Sequence, residues 1–433
     1  MKHTSNSSPT LKGLFMVILM FSFRTAIAQE VVFNDYFNNQ TLRIDYIHTG
    51  NAHSEEFTLN RYHAGGQWVG TRAFLIEPRR YGDVLFQVFD YETDKVIFSR
   101  SYNTLFHEYC ASEKGETIVE SFEESINMPM PKAKVKYQFL TYNRRNESKV
   151  VYEDIFDPEH DATLPFVKEH KTTVLHKGGK PEDCLDILFI PEGYAQSDAK
   201  KMKADMKRFK DYFLQCSPYK EHKKNINIYT LDAFSPESGV TDPNKKIFKN
   251  TLLHCSYNVT DVDRYLMCPD VWNLNAIADD APYDQILIIV NSSKYGGGGI
   301  YNFYCTVYSD GEYTDYVSVH EFGHSLGGLA DEYYTSEVGV QDYYPLDIEP
   351  KEPNLTTLVD FKSKWQSMMN LKTPIPTPTT AEYENTLGVF EGGGYVEKGV
   401  YRPVQECSMK SKSYNQFCPV CTQAIIEAIE YYR

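Results

Sequence analysis

The run His320-Glu321-Phe322-Gly323-His324 constrains this chain more than any other part of the sequence. Residues four positions apart lie on one face of an α-helix, so the two histidines can bind a single metal ion. The carboxylate of Glu321 would then lie beside a water molecule at that ion. Zinc lowers the pKa of such a water to about 7, and a neighbouring glutamate can accept its proton. The motif therefore predicts zinc-dependent hydrolysis with Glu321 as the general base.

The residues around the motif favour a helix. Residues 316–319 supply an apolar face, Asp315 is placed to cap the start, and Gly327-Gly328 can end the helix with positive φ angles. Two histidines on one face of a helix can also be an ordinary polar surface. The flanking pattern favours the metal site.

A catalytic zinc site needs a third protein ligand. All ten other histidines precede the motif, so no histidine can follow the helix to fill this place. Asp331 stands three residues after Gly328, where a chain that reverses at glycine returns a side chain to the metal. Glu332 is the alternative, and either acid could instead accept hydrogen bonds from the ligands. Asp331 is the preferred third ligand.

The stretch 320–333, which reads H-E-F-G-H-S-L-G-G-L-A-D-E-Y, resembles the signature of the secreted bacterial IgA-peptidase family, a metzincin-like group of zinc metallopeptidases. Further matching segments are residues 186–194, 295–299, 391–395 and 399–403. The resemblance implies a zinc peptidase in which His320, His324 and Asp331 bind the metal and Glu321 is the general base.

The resemblance also implies a Met-turn, in which Met409 forms an apolar floor beneath the metal. An ordinary core methionine would give the same pattern. The usual H-E-x-x-H-x-x-G-x-x-H spacing is longer by one residue here. Some metzincins place a tyrosine two residues after the methionine, where this chain has Ser411. We expect Tyr401 to stabilise the transition state instead, with Tyr414 as the alternative, although either could be structural in a chain with 33 tyrosines.

The N-terminus has the pattern of a secretory signal peptide over residues 1–28. Basic residues precede an apolar run over 14–23, and Ala26-Ile27-Ala28 has the small-x-small form that signal peptidase cleaves. The run is short for a bilayer core of about 30 Å, and no other segment approaches the roughly 20 apolar residues of a membrane-spanning helix. We expect an exported chain without membrane insertion, located in the periplasm, at the cell surface or outside the cell.

Nine cysteines in an exported chain predict disulfide bonds, and the odd number leaves at least one free thiol. Cys255 with Cys268 is one predicted pair. Cys418 and Cys421 have the C-x-x-C form, but no second such motif and no thioredoxin-like context accompany them. A bridge from Cys407 to one of these two is the preferred interpretation.

Two domains are predicted after the signal peptide. Residues 29–168 are expected to form an all-β, sandwich-like domain, because β-forming residues cluster between turns over 42–47, 71–76, 84–89, 96–99 and 135–140. Packing against the catalytic domain is its simplest role, and binding of a glycan or protein is the alternative.

Residues 169–433 are expected to form an α/β (α+β) catalytic domain, which the resemblance makes a metzincin-like zinc peptidase. Buried-type strands are predicted over 184–190, 225–231 and 286–290, with a helix capped by Ser197 after the first and a terminal helix from Pro419. The glycines at 296–299 lack the Lys-Ser/Thr pair of a phosphate loop. They predict an edge strand beside the metal helix that could pair with an extended peptide.

Three classes of function fit these features. The first is a secreted zinc endopeptidase that acts on proteins or peptides, with host secreted glycoproteins or immunoglobulins as substrates by analogy with the family. A zinc amidase acting on cell-wall or glycoconjugate substrates and a non-catalytic binding protein are the alternatives. Intact Glu321 argues against the last. The net charge of −15 and the absence of a basic run oppose nucleic-acid binding.

Overall fold

The computed structural model describes residues 31–334 and 344–433, so the predicted signal peptide lies outside the described residues. The chain folds into an N-terminal β domain and a second domain built on a mixed sheet, as the sequence predicts. It passes from the sheets of the first domain to that of the second between Pro165 and Thr172.

The N-terminal domain contains two four-stranded sheets, with strand orders β5-β1-β2-β8 and β4-β3-β6-β7. The sheets face each other, because the Tyr46 and Phe139 rings pack at 4.8 Å between centroids and the Tyr62 and Tyr137 hydroxyls lie 2.8 Å apart. The elements in chain order are α1 Phe33–Tyr36, β1 Phe37–Asn51, β2 Ser54–Gly65, β3 Val84–Asp90, β4 Val96–Tyr102, α2 Leu105–Cys110, β5 Glu120–Pro131, β6 Val135–Tyr142, β7 Ser148–Phe156 and β8 Thr163–Pro165.

One predicted strand in this domain is wrong. Residues 71–76 form bends and irregular backbone, apart from a single bridge between Ile76 and Ser99. The Thr71 hydroxyl accepts a hydrogen bond from the Phe74 N–H at 3.1 Å. A threonine side chain that bonds its own backbone competes with strand pairing, and this contact overrides the β-propensity of the segment.

The second domain contains a six-stranded sheet with the order β13-β14-β12-β10-β11-β9, and a separate hairpin of β15 and β16. The four central strands run parallel, and the two edge strands are antiparallel to their neighbours. The elements in chain order are β9 Thr172–His176, β10 Leu185–Glu192, α3 Ala199–Gln215, α4 Tyr219–His222, β11 Ile226–Leu231, α5 Val271–Ala278, β12 Gln285–Val290, β13 Gly297–Ile300, β14 Tyr304–Tyr308, α6 Thr314–Gly327, β15 Phe390–Gly393, β16 Val396–Arg402 and α7 Pro419–Tyr431.

Helices cover both faces of the six-stranded sheet. The apolar side chains of α3, α6 and α7 share one core with one face, and those of α5 share a second core with the other face. β10 and β12 are buried along their whole length, which explains why their sequences are apolar without alternation. This layered arrangement holds α6, the helix of the histidine motif, against the sheet.

The N-terminal domain packs directly on the second domain. Arg43 pairs with Asp279, and the Tyr301 hydroxyl donates to Glu77 at 3.0 Å. Tyr81 lies so close to the end of α6 that a Cβ on Gly328 would be 2.8 Å from its ring. The first domain therefore supports the part of the chain that leaves the metal helix.

β13 is an edge strand beside α6, as the glycine run predicts. Its outer edge is not free, because Tyr265 forms a bridge with Gly297 and the Gly297 N–H donates to the Arg264 carbonyl at 3.4 Å. An extended peptide could pair with the start of this strand only by displacing that segment. The geometry therefore does not favour the predicted pairing with substrate.

The close approach of β13 to α6 gives a stability prediction. A Cβ on Gly299 would lie 2.1 Å from the Glu321 carbonyl oxygen, so Gly299→Ala must separate strand and helix. We expect it to lower the free energy of unfolding by about 1–3 kcal/mol, measured by urea denaturation. Gly298→Ala is the matched control, because the atoms nearest to its Cβ, at 2.5 Å, belong to the side chains of Met267 and Tyr265 and not to the backbone. Equal effects of the two substitutions would contradict this account.

Candidate metal centre

The metal helix α6 begins one residue before the predicted cap. Its N-cap is Tyr313, and Asp315 lies inside the first turn, where an acidic side chain still interacts favourably with the helix dipole. At the other end Gly328 adopts a left-handed conformation with φ of 60°, as predicted. Its N–H donates to the His324 carbonyl at 3.1 Å, which ends the helix and reverses the chain.

The reversal brings Asp331 back to the histidines. The side-chain amide of Asn354 accepts from the Ala330 N–H and donates to the Ala330 carbonyl, each at 2.8 Å. On either side, the Glu332 N–H donates to the Met409 carbonyl at 2.8 Å and the Asp331 carbonyl accepts from the Gly394 N–H at 2.9 Å. The backbone that carries Asp331 is therefore fixed by three separate segments.

Three potential ligand atoms converge at one point. The Nε2 atoms of His320 and His324 lie 3.2 Å apart, and Oδ1 of Asp331 lies 3.1 Å from the first and 3.5 Å from the second. A tetrahedral ion with bonds of about 2.1 Å would separate its ligand atoms by about 3.4 Å. The spacing of the three atoms fits such an ion.

The surrounding hydrogen bonds leave these three atoms available. His320 Nδ1 donates to the Ser408 carbonyl at 2.9 Å, and His324 Nδ1 donates to the Leu329 carbonyl at 2.5 Å. In their neutral form, with the proton on Nδ1, both rings present the lone pair of Nε2 to the centre. Asp331 Oδ1 is buried and has no hydrogen-bond partner. When both histidines are neutral, this oxygen faces only two nitrogen lone pairs, and a bound cation would compensate its charge.

Two tyrosines that the sequence argument did not assign hold the other oxygen of this carboxylate. Tyr333 donates to Asp331 Oδ2 at 2.9 Å, and the Tyr395 hydroxyl also donates to it. Tyr395 belongs to the glycine-rich segment 391–395, which marked the family resemblance without revealing a role. A third tyrosine, Tyr316, lies one helical turn before His320, with its hydroxyl 3.2 Å from Nδ1 of that histidine.

Of the other predicted site residues, Met409 lies next to the metal helix, whereas Glu332 and Tyr401 do not contact the histidines. Met409 is fully buried beneath α6, where a Cβ on Gly323 would lie 3.1 Å from its sulfur. Glu332, the alternative third ligand, points away from the histidines toward Cys421 and Asn354. Tyr401 lies on β16, and its charged neighbours are Glu391 and Lys398.

Tyr401 is therefore not brought to the three potential ligands by any hydrogen bond or ring contact among the described residues. Tyr414, its alternative, is exposed. The role expected for these tyrosines stays a prediction without structural support. The tyrosines whose hydroxyls bond Asp331 lie after α6 and in the turn between β15 and β16.

Asp331 governs the charge of the site. Burial lowers the pKa of both histidines, but the pairing with Asp331, together with the charge of Glu321, outweighs that effect, and the pKa of His324 reaches about 9. The same two histidines hold the pKa of Asp331 well below its usual range despite its burial. Burial raises the pKa of Glu321, and the nearby histidines only partly oppose that effect. The side chain of Glu321 lies against β13, because its Cγ is 3.3 Å from where a Cβ on Gly297 would stand.

Comparison with known families agrees with this geometry. The protein-family model described as IgA Peptidase M64 matches residues 173–386 and 379–429, which together include more than half of the chain. The chain belongs to the IgA peptidase M64 family. The model described as Peptidase M64 N-terminus matches residues 32–153, so the first domain is also characteristic of M64 peptidases. A search of curated proteins finds no match.

Membership in the M64 family makes the chain a metallopeptidase, which acts on peptide bonds and uses a metal. The family resemblance seen in the sequence is thus confirmed. In the part of this M64 peptidase that the structure describes, no helix is both long and apolar enough to cross a bilayer.

The tyrosine contacts of the M64 site give one prediction. Tyr395→Phe removes a hydroxyl that orients Asp331, and loss of such a partner typically lowers metal affinity or activity about 10- to 100-fold. Competition with a chelator measures the affinity, and peptide turnover measures the activity. Tyr401→Phe removes a hydroxyl whose charged neighbours are Glu391 and Lys398, so metal affinity and peptide turnover should both stay near wild type. The reverse pattern would overturn this assignment and support the predicted role of Tyr401.

The charge pairing between Asp331 and the two histidines gives a second prediction. Because the pKa of His324 is about 9 without a metal, the ring is protonated at pH 7 and must release that proton to bind an ion. Apparent zinc affinity should therefore fall by about tenfold per pH unit as pH drops below the pKa of His324. Calorimetry in buffers of different ionisation enthalpy counts the released protons. Subtracting the result for His324→Ala isolates this site, and no difference between the two chains at pH 7 would contradict the prediction.

Proposed function

We propose that this M64 peptidase is an exported, zinc-dependent endopeptidase of the metzincin-like type, with His320, His324 and Asp331 as the metal ligands and Glu321 as the general base. The observation that carries the proposal is the convergence of two imidazole nitrogens and a carboxylate oxygen without a hydrogen-bond partner. The glycine reversal after the helix and the buried methionine beneath it support the metzincin-like assignment.

A zinc ion bound there would polarise the scissile carbonyl and acidify the attacking water. Glu321 follows His320 directly on α6, and its Cγ lies against β13. Its carboxylate is close enough to the proposed ligands to interact with their charges. Its pKa is raised by burial, which makes the carboxylate a stronger base for the proton of the water. Glu321 then delivers this proton to the leaving amine nitrogen, so that the carbon–nitrogen bond of the peptide can break.

The proposed location and substrates rest on the sequence and on the family. The signal-peptide pattern at 1–28 supports export to the periplasm, the cell surface or the medium. The family is described as IgA peptidase, which supports host secreted glycoproteins and immunoglobulins as the first substrates to test. A zinc amidase acting on cell-wall or glycoconjugate amides would use the same residues and is a distinct outcome of the test.

The decisive experiment is a digest of secreted proteins, including IgA and mucin, by residues 29–433, with new termini mapped by mass spectrometry. Glu321→Ala should lower kcat/KM for a cleaved peptide by about 100- to 10,000-fold, because general acid–base catalysis contributes that much. Its zinc content should equal that of the wild type. A chelator should abolish cleavage, and added zinc should restore it.

The control is Glu312→Ala, which removes an exposed carboxylate shortly before α6 and should leave turnover unchanged. Cleavage that survives in Glu321→Ala would overturn the role of this residue. Release of products from muropeptides or glycoconjugates, with no new protein termini, would overturn the endopeptidase assignment and favour the amidase.

A further inference from the structure

A second group of metal-ligating side chains lies beside the catalytic site but outside it. Glu332, Cys407, Cys418 and Cys421 place one carboxylate oxygen and three sulfurs within 4.8 Å of one another. All four residues are buried, with at most 4% of any of them exposed. They come from three separate segments: the chain after α6, the segment before Met409 and the start of α7. We refer to these four residues as the thiol cluster.

The separation of the Cys407 and Cys421 sulfurs fits two ligands of one metal ion rather than a bonded pair. All three cysteines are free thiols, as are the other six in the chain, so neither the bridge predicted from Cys407 nor the one between Cys255 and Cys268 is formed. The sulfurs of Cys407 and Cys421 lie 3.9 Å apart. A disulfide bond would require about 2.05 Å. A tetrahedral zinc ion with Zn–S bonds of about 2.3 Å places its sulfurs about 3.8 Å apart.

Backbone N–H groups are directed at the sulfurs. Cys407 Sγ accepts from the Met409 N–H at 3.5 Å and from the Cys418 N–H at 3.3 Å. Cys418 caps the N-terminus of α7, where its sulfur accepts from the Cys421 N–H at 3.4 Å. Hydrogen-bond donors and a helix N-terminus stabilise the thiolate, which is the form of cysteine that binds metals.

Glu332 supplies an independent sign of a missing cation. Its Oε1 accepts from Asn354 at 3.1 Å and from the thiol of Cys421 at 3.1 Å. Its Oε2 is fully buried and has no hydrogen-bond partner. Burial of a carboxylate oxygen without a partner is unfavourable, and a disulfide between any two of the cysteines would leave this oxygen uncompensated.

We propose that Glu332, Cys407, Cys418 and Cys421 bind a second divalent metal ion of the zinc class, separate from the catalytic one. Four protein ligands and no exposed position are typical of a structural zinc site, because a catalytic ion keeps one position open for water. The inference stands on residues that the proposed catalytic mechanism does not use.

The second ion would act as a positioning device for the first. Glu332 follows Asp331 directly, and Cys407 precedes Ser408, whose carbonyl accepts the Nδ1 proton of His320. An ion at the thiol cluster would therefore fix one ligand of the catalytic ion and the orientation of another. It would also join the start of α7 to the segment that carries Met409.

The test is a metal count on residues 29–433, purified under reducing conditions and loaded with zinc. We expect two ions per chain in the wild type, one in His324→Ala and one in Cys421→Ser. Cys184→Ser, which changes a buried cysteine outside the thiol cluster, should retain two. Glu321→Ala should also retain two, so failure of the proposed peptidase mechanism and failure of the second site are distinguishable.

Cobalt substitution identifies the ligands. A thiolate-to-cobalt charge-transfer band should appear in the wild type and in His324→Ala, and should be lost in Cys421→Ser. If Cys421→Ser does not fold, X-ray absorption of zinc-loaded His324→Ala decides the question, since the retained ion should show sulfur neighbours at about 2.3 Å. One ion in the wild type with none in His324→Ala would overturn the proposal. A disulfide within the thiol cluster of the chain secreted by cells would overturn it as well.

Discussion

The candidate metal centre depends on one chain reversal, at Gly328. The left-handed conformation there ends α6, directs the Leu329 carbonyl to His324 Nδ1 and returns Asp331 to the two histidines. Glycine is required for two physical reasons. A residue with a Cβ rarely adopts a backbone φ of 60°, and Tyr81 of the first domain occupies the space that this Cβ would need. The turn thus connects helix geometry, ligand orientation and domain packing.

The two carboxylate oxygens of Asp331 differ in their hydrogen bonding, and this difference leaves one of them available to a cation. Tyr333 and Tyr395 satisfy Oδ2, while Oδ1 remains buried and has no hydrogen bond. The electrostatic effect is mutual, since the histidines lower the pKa of Asp331 and Asp331 raises theirs. A metal-free site is therefore held together by charge pairing. A bound cation would replace the protons of the histidines without changing the sign of the interaction with the carboxylate.

Much of this could be read from the sequence, because the decisive features are local. The spacing of His320 and His324, the glycines that end the helix and the apolar runs of β10 and β12 follow from short-range geometry. The partners of Asp331 could not be found in the same way. Tyr395 reaches Asp331 from a hairpin turn more than sixty residues later in the chain. With 33 tyrosines in the sequence, no local pattern indicates which of them bonds this carboxylate. The strand predicted over 71–76 failed for the opposite reason, since a local side-chain hydrogen bond of Thr71 outweighed propensity.

The choice between Asp331 and Glu332 was also beyond the sequence, although the structure gives it a simple physical basis. The carbonyls of Asp331 and Tyr333 face the turn between β15 and β16, while the N–H of Glu332 faces Met409. Neighbouring residues in a backbone that alternates in this way direct their side chains to opposite sides. One acid therefore reaches the histidines, and the other reaches the three cysteines. Two adjacent carboxylates are each buried, and each has one oxygen that lacks a hydrogen bond, so this short segment forms the shared wall of the two proposed cation sites.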